Sequence, residues 1–213
     1  MTRPVWLFDL DNTLHDANPR IFPHISRSMT GYLVRELGLS EEQAGELRAR
    51  YWHRYGATLL GLMRHHGTDP HHFLRETHRF PDLGTMVLRQ PALRNALRAL
   101  PGRKLVFSNA PRSYADAVLD VMGVRALFEA VFSIERMRFR PKPARRTFLA
   151  LLRSLGVAPA RCVMVEDSSA NLRMAKTLGM TTVWISPLTR APAFVDLRLR
   201  SVVELPRHLD KLL

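Results

Sequence analysis

The chain has 213 residues, enough for one full-sized domain or a core with a small inserted lobe. Hydrophobic residues make up 46% and charged residues 24%, which excludes disorder as the default, and no run approaches the roughly 18 apolar residues of a membrane helix. Lys and Arg number 32 against 19 Asp and Glu, but the arginines are spread along the whole chain without aromatic–glycine interleaving or zinc-finger spacing, so the net charge of +13 points to anionic substrates rather than to a nucleic-acid-binding module.

In chain order, Met1 to Pro4 lead directly into an apolar run without the pattern of an export signal. Residues 5–8, Val-Trp-Leu-Phe, read as a strand buried on both faces, ending at Asp9-Leu10-Asp11. Helical segments follow. One spans Pro19 to Leu37, and a second, opened by a Ser40–Gln43 capping box, runs to Tyr55. Shorter ones cover Thr58–His66 and Pro70–Arg79. Residues 15–88 hold eight of the nine histidines, including His65-His66 and His71-His72; no cysteine or carboxylate cluster completes a zinc set there, and solvated helix faces explain them.

From Pro91 the rhythm alternates. Helices are predicted at Pro91–Leu100, Pro111–Met122, Pro143–Leu155 and Asn171–Leu178, with strands at Lys104–Phe107, Ala130–Ile134, Cys162–Val165 and Thr182–Ile185. Residues 202–213 are expected to add a last short strand and helix. Cys162 is the only cysteine, so no internal disulfide forms, and a reducing cytoplasm is the expected setting. The pattern predicts an α/β fold: a Rossmann-like parallel sheet core flanked by helices, formed by 1–14 and 89–213, with an inserted all-helical cap domain at 15–88. In such sheets ligands bind beyond the carboxyl ends of the strands.

Every unusual polar cluster sits at such an end. Asp9 and Asp11, two apart in extended chain, face the same side, though alone such a pair serves equally as a turn or helix cap. Ser108-Asn109 follows the next strand, Lys142 lies in Arg-Pro-Lys-Pro ahead of a helix, and Glu166-Asp167-Ser168-Ser169 closes the fourth strand. Each is weak alone, but together, in this order, they make one site.

These motifs closely resemble the haloacid dehalogenase superfamily, in its phosphatase branch: Asp9-Leu10-Asp11-Asn12-Thr13, then Ser108, Lys142 and Glu166-Asp167. The resemblance implies a hydrolase acting on phosphoric monoesters, with Asp9 as nucleophile and Asp11 as general acid and base. It implies that Ser108, Asn109 and Lys142 hold the phosphoryl group. Mg2+ would be bound by Asp9, the Asp11 carbonyl and Asp167, with Glu166 binding directly or through water. Oxygen ligands suit Mg2+, and a cation beside Lys142 makes so many carboxylates tolerable. Thr13 is an orienting donor of second rank. Asp11 favours phosphoryl transfer, because haloacid dehalogenases usually lack it.

Tyr51-Trp52-His53-Arg54-Tyr55-Gly56 resembles a segment of pyrimidine 5′-nucleotidases. This implies a small phosphorylated metabolite, a nucleoside monophosphate, as substrate, with Tyr51 or Tyr55 over the base. The two tyrosines, four apart on one helix face, equally suit packing of the cap. Phe22, Met29 and Leu33 are expected in the core. The alternatives are a phosphatase of another metabolite, such as phosphoglycolate or a sugar phosphate, and, from a different class, a basic nucleic-acid-binding protein.

Overall fold

The computed structural model describes residues 3–212. Six strands form one sheet: β1 (Val5–Phe8), β2 (Arg103–Phe107), β3 (Ala130–Phe132), β4 (Cys162–Glu166), β5 (Thr181–Ile185) and β6 (Leu197–Leu199). Their order is β3-β2-β1-β4-β5-β6, and every pairing is parallel. All four residues of β1 are buried because both faces of the sheet are covered. Trp6 and Phe8 enter the core on one face with Val106, Val163 and Val165, while Val5 and Leu7 enter the other with Leu105, Phe107 and Met164.

From β1 the chain builds outward through β2 and β3, then crosses back to lay β4 against the other side of β1. The carboxyl ends of β1, β2 and β4 therefore border the crevice where the strand order reverses. Helices α6 (Pro91–Ala99), α7 (Arg112–Val121), α8 (Arg145–Leu155) and α9 (Ser169–Thr177) make the crossovers.

Between β1 and α6 the chain forms only helices: α1 (Ile21–Leu37), α2 (Glu41–Tyr55), α3 (Thr58–His66), α4 (Pro70–Thr77) and a four-residue α5 (Leu83–Met86) that periodicity did not anticipate. The Ser40 hydroxyl accepts from Gln43 N–H at 3.2 Å, and the Gln43 side chain accepts from Ser40 N–H at 2.9 Å, the reciprocal box expected from the sequence. Gly56, with φ of 76°, ends α2 in the left-handed conformation that turns the chain into α3. At Gly61 the ring of Tyr51 lies where a Cβ would stand, so α2 and α3 approach closely.

The carboxyl-terminal expectation needs correction. The last strand is Leu197–Leu199, and Val202–Lys211 forms 3-10 turns, capped by Ser201 and Glu204 and containing Pro206. A three-residue edge strand carries too little alternation to announce itself in sequence. Among the described residues no helix is long and apolar enough to cross a membrane.

Candidate active site

Asp9 is the first residue beyond β1, and its N–H extends the ladder to the Val165 carbonyl at 2.9 Å. Leu10 is fully buried and its carbonyl receives Leu14 N–H at 2.9 Å, so the chain turns immediately. Asn12 takes a positive φ of 60° in this turn, which asparagine tolerates better than most residues. Ser108 and Asp167 stand just past β2 and β4, and Glu166 is the last residue of β4.

Lys142 joins these ends. Its Nζ donates to Asp9 Oδ1, to the Phe107 carbonyl and to Glu166 Oε2, each at 2.7 Å, and its side chain is buried. Asn109 fixes the lysine's main chain: Asn109 Oδ1 accepts from Lys142 N–H at 2.7 Å and Asn109 Nδ2 donates to the Lys142 carbonyl at 3.2 Å. Both ends of this amide thus hold the lysine's backbone, and Asn109, which lines the cavity, keeps a second Nδ2 hydrogen to offer. Ser108 borders the cavity, with Oγ accepting from Ala110 N–H at 3.1 Å.

The electrostatics are short of positive charge. Asp9, Glu166 and Asp167 offer carboxylate oxygens within 4.8 Å of one another. Burial, with Glu166 alongside, pushes Asp9 up to about 8, although Lys142 pulls it back. Burial also raises Glu166 and Asp167. Burial works against the charged lysine, but Asp9 and Glu166 outweigh it and hold Lys142 above its ordinary value. One ammonium cannot balance three acids. An all-oxygen, acid-rich cluster of this kind fits a hard divalent cation such as Mg2+.

The Asp11 side chain stands outside that cluster. Its Oδ1 accepts from Tyr114 O–H at 2.6 Å and lies 2.9 Å from His15 Nε2. Burial, then the negative Asp11, push the Tyr114 hydroxyl well above its usual range, so it stays a donor. Neither partner was singled out from sequence; for His15 the four-residue spacing from Asp11 was the available signal. Thr13 is buried and its Oγ1 has no hydrogen-bond partner among the described residues.

A cavity of about 1000 Å³ opens over Asp9, Asp11, Ser108 and Lys142. From α2 it takes Gly45, Arg48, Ala49, Trp52, His53 and Gly56, a single helical face. Tyr51 and Tyr55 are not among its lining residues, which corrects the expected base contact. Tyr51 lies instead on the α2 face of Ala44 and Leu47, and each ring meets α3. Tyr51 O–H pairs with His66 at 2.8 Å and Tyr55 O–H with His65 at 2.6 Å. Tyr32 O–H pairs likewise with His72 at 3.0 Å, so these histidines of α3 and α4 are tyrosine partners as well as surface groups. Leu33 is core as expected, but Phe22 and Met29 line the cavity, Phe22 with 39% of its surface exposed.

Trp52 is 60% exposed. Arg48 Nη1 donates to Thr30 Oγ1 at 2.6 Å and Nη2 to Ser26 Oγ at 3.0 Å, both neutral groups, while its Nε is buried without a partner among the described residues. Burial holds this guanidinium below its ordinary pKa. His78 completes the wall; its Nδ1 sits 3.1 Å from the Leu74 carbonyl and 3.0 Å from Thr77 Oγ1. Burial lowers this imidazole to about 4, leaving it neutral near pH 7.

A family model described as haloacid dehalogenase-like hydrolase matches residues 5–179. The chain is 25% identical over 195 residues to Phosphate metabolism protein 8 of Saccharomyces cerevisiae, covering 84% of this chain and spanning 60% of that longer protein. It is 26% identical over 180 residues to Fructose-1-phosphate phosphatase YqaB of Escherichia coli, covering 83% and 93% of the two chains. Over 194 residues it is 25% identical to a phosphoglycolate phosphatase of Pseudomonas putida, with 84% and 68% covered. Among solved structures, a HAD phosphatase from Thermococcus onnurineus matches with a TM-score of 0.65 at 25% identity, over 98% of each chain. The L-2-haloacid dehalogenase from Xanthobacter autotrophicus, at 17% identity and a TM-score of 0.61 over 98% and 99% of the chains, shares the fold.

Proposed function

The chain belongs to the haloacid dehalogenase-like hydrolase family, and on that premise we propose that it is a magnesium-dependent phosphatase of pyrimidine nucleoside 5′-monophosphates. The observation that carries the chemistry is Lys142, bound at 2.7 Å to Asp9 and to Glu166 at the ends of the two central strands. An Asp9 carboxylate oxygen attacks phosphorus and the bond to the leaving alkoxide breaks, with Asp11 giving that oxygen a proton. Water then attacks the aspartyl-phosphate, Asp11 takes the proton, and the phosphorus–oxygen bond to Asp9 breaks. Lys142 and Ser108 hold phosphoryl oxygens throughout. Bound by Asp9, Asp167, the Asp11 carbonyl and Glu166 directly or through water, Mg2+ would supply the positive charge that the transferring group demands.

The substrate reading rests on the α2 face. An exposed indole and a guanidinium without an acidic partner, one turn apart, border a cavity far larger than a two-carbon acid needs. Trp52 offers a stacking surface for a base, and Arg48, which only donates, suits the carbonyl oxygens of a pyrimidine. The proposed setting is the cytoplasm, where the Cys162 thiol, pushed up to about 11 by burial, stays inert.

The test is phosphate release from UMP, CMP, AMP, phosphoglycolate and fructose 1-phosphate, with and without Mg2+. Turnover that survives chelation or Asp9→Asn defeats the mechanism. Trp52→Ala is expected to cost roughly tenfold in kcat/KM on UMP, from about 1–3 kcal/mol of stacking, and little on phosphoglycolate. Equal losses on both, or a preference for phosphoglycolate or fructose 1-phosphate over UMP, refute the nucleotide assignment while leaving the phosphatase intact.

A further inference from the structure

The segment 136–142 borders two cavities. Phe139, Pro141 and Lys142 face the first, above Asp9, while Arg136, Arg138 and Arg140 face a second of about 710 Å³. The opposite wall of that second cleft is α8, which contributes Arg145, Arg146 and Arg153. All six arginines are exposed, no carboxylate lines the cleft, and none of the six forms an ion pair among the described residues.

The walls are held in place. Thr147 Oγ1, on α8, donates to the Arg140 carbonyl at 2.7 Å and ties one wall to the other. The opposing loop adopts positive φ at Arg138 (52°) and Phe139 (57°), conformations costing about 1–2 kcal/mol for such residues. Arg145 and Arg146 also occupy the first turn of α8, the positive end of the helix dipole, where cations are disfavoured. α2, by contrast, opens with a Ser40 cap, Glu41 and Glu42, and where α7 opens with Arg112 that side chain is paired with Asp116, a partner of a kind that Arg145 and Arg146 lack among the described residues. Like charges converge in this cleft against local preference, in an arrangement that a bound anion would relieve.

We propose that the cleft is a second ligand site, separate from the phosphatase centre, for a small polyphosphorylated anion with several linked phosphates. Guanidinium forks match phosphate oxygens in pairs, and arginines on facing walls address successive phosphates. The concave shape favours a compact chain of phosphates over a duplex or a lipid surface. No aromatic ring lines it to stack bases, and no exposed apolar side chain lines it to enter a bilayer.

Calorimetric titration of the full-length Asp9→Asn protein, which cannot turn the ligand over, tests this at near-physiological salt. The probes are tripolyphosphate, ATP, orthophosphate and a ten-nucleotide single-stranded RNA. Tripolyphosphate should bind saturably and orthophosphate at least a hundredfold more weakly. Arg145→Gln/Arg146→Gln/Arg153→Gln should weaken tripolyphosphate about 30-fold, at about threefold per exposed charge contact. In the otherwise native enzyme the same triple change should leave kcat/KM on UMP unaltered. Arg136→Gln/Arg138→Gln, on the other wall, should weaken tripolyphosphate about tenfold. ATP binding as well as tripolyphosphate points to a nucleotide source, and ATP binding tenfold worse to an inorganic one; both keep the proposal. Unchanged affinity in both sets of variants, RNA binding tighter than tripolyphosphate, or orthophosphate binding equally well overturns it.

Discussion

Replacing the proposed nucleophile should make the metal-free protein more stable, not less. Asp9 is buried, and its carboxyl is raised from 3.8 to about 8 by burial and by Glu166. The folded protein therefore binds this proton more tightly than the unfolded chain does. Stability is fully present below the unfolded value near 3.8 and is lost as pH rises toward the folded value of about 8. At about 1.4 kcal/mol per unit, the shift sets a ceiling of about 6 kcal/mol. The folded value already includes the downward pull of Lys142, bonded at 2.7 Å. Asparagine resembles the protonated carboxyl, and Glu166 still holds the Lys142 ammonium at 2.7 Å, so Asp9→Asn should match its parent at pH 4 and gain at pH 8 by up to that ceiling. For a chain of this length each kcal/mol moves Tm by about 2–4 °C. Urea and thermal unfolding after chelation, from pH 4 to pH 8, would measure the difference, and Mg2+ should then stabilise the parent more than the variant. A variant less stable than its parent at pH 8, or an advantage that does not grow with pH, refutes the reasoning.

Asn109→Ala removes two bonds to the Lys142 main chain and should cost about 1–3 kcal/mol in urea unfolding, with kcat falling more than KM changes. Gly61→Ala places a methyl group in the Tyr51 ring and should lower Tm by an amount equivalent to about 1–3 kcal/mol; Tyr51→Leu in the same protein should restore part of it. His78, lowered to about 4 from 6.5, binds its proton less well folded than unfolded, so its contribution is intact above 6.5 and is lost as pH falls toward 4. The shift amounts to about 3 kcal/mol at most, and in the Asp9→Asn background His78→Gln should flatten that part of the acid-unfolding curve.

The strands were legible because runs such as Val5–Phe8 and Cys162–Val165 are continuously apolar, and the polar residues that follow them become the site. Lys142 was readable from its place ahead of α8 but not from any contact, since its bond to Asp9 spans 133 residues. What sequence could not give was helix phase and packing. Tyr51 and Tyr55 were chosen on spacing, yet the face that borders the cavity begins one residue later, at Trp52 and His53, about 100° around the helix. Arg48, Tyr114 and His78 reach the site through tertiary packing alone, and the hold of Asn109 on Lys142 was hidden because that main chain is remote in sequence.

Placing β1 at the middle of the sheet has a consequence for the newborn chain. Val5–Phe8 leaves the ribosome before its neighbours, residues 103–106 and 162–165. Until those are made, four consecutive apolar residues have no sheet to join, and pairing over such separations is slow. The helices from Ile21 to Met86 are local and can form meanwhile. The strand that bears Asp9 is therefore made before the strands that shelter it, and until β4 docks it stays open to aggregation and to capture by chaperones.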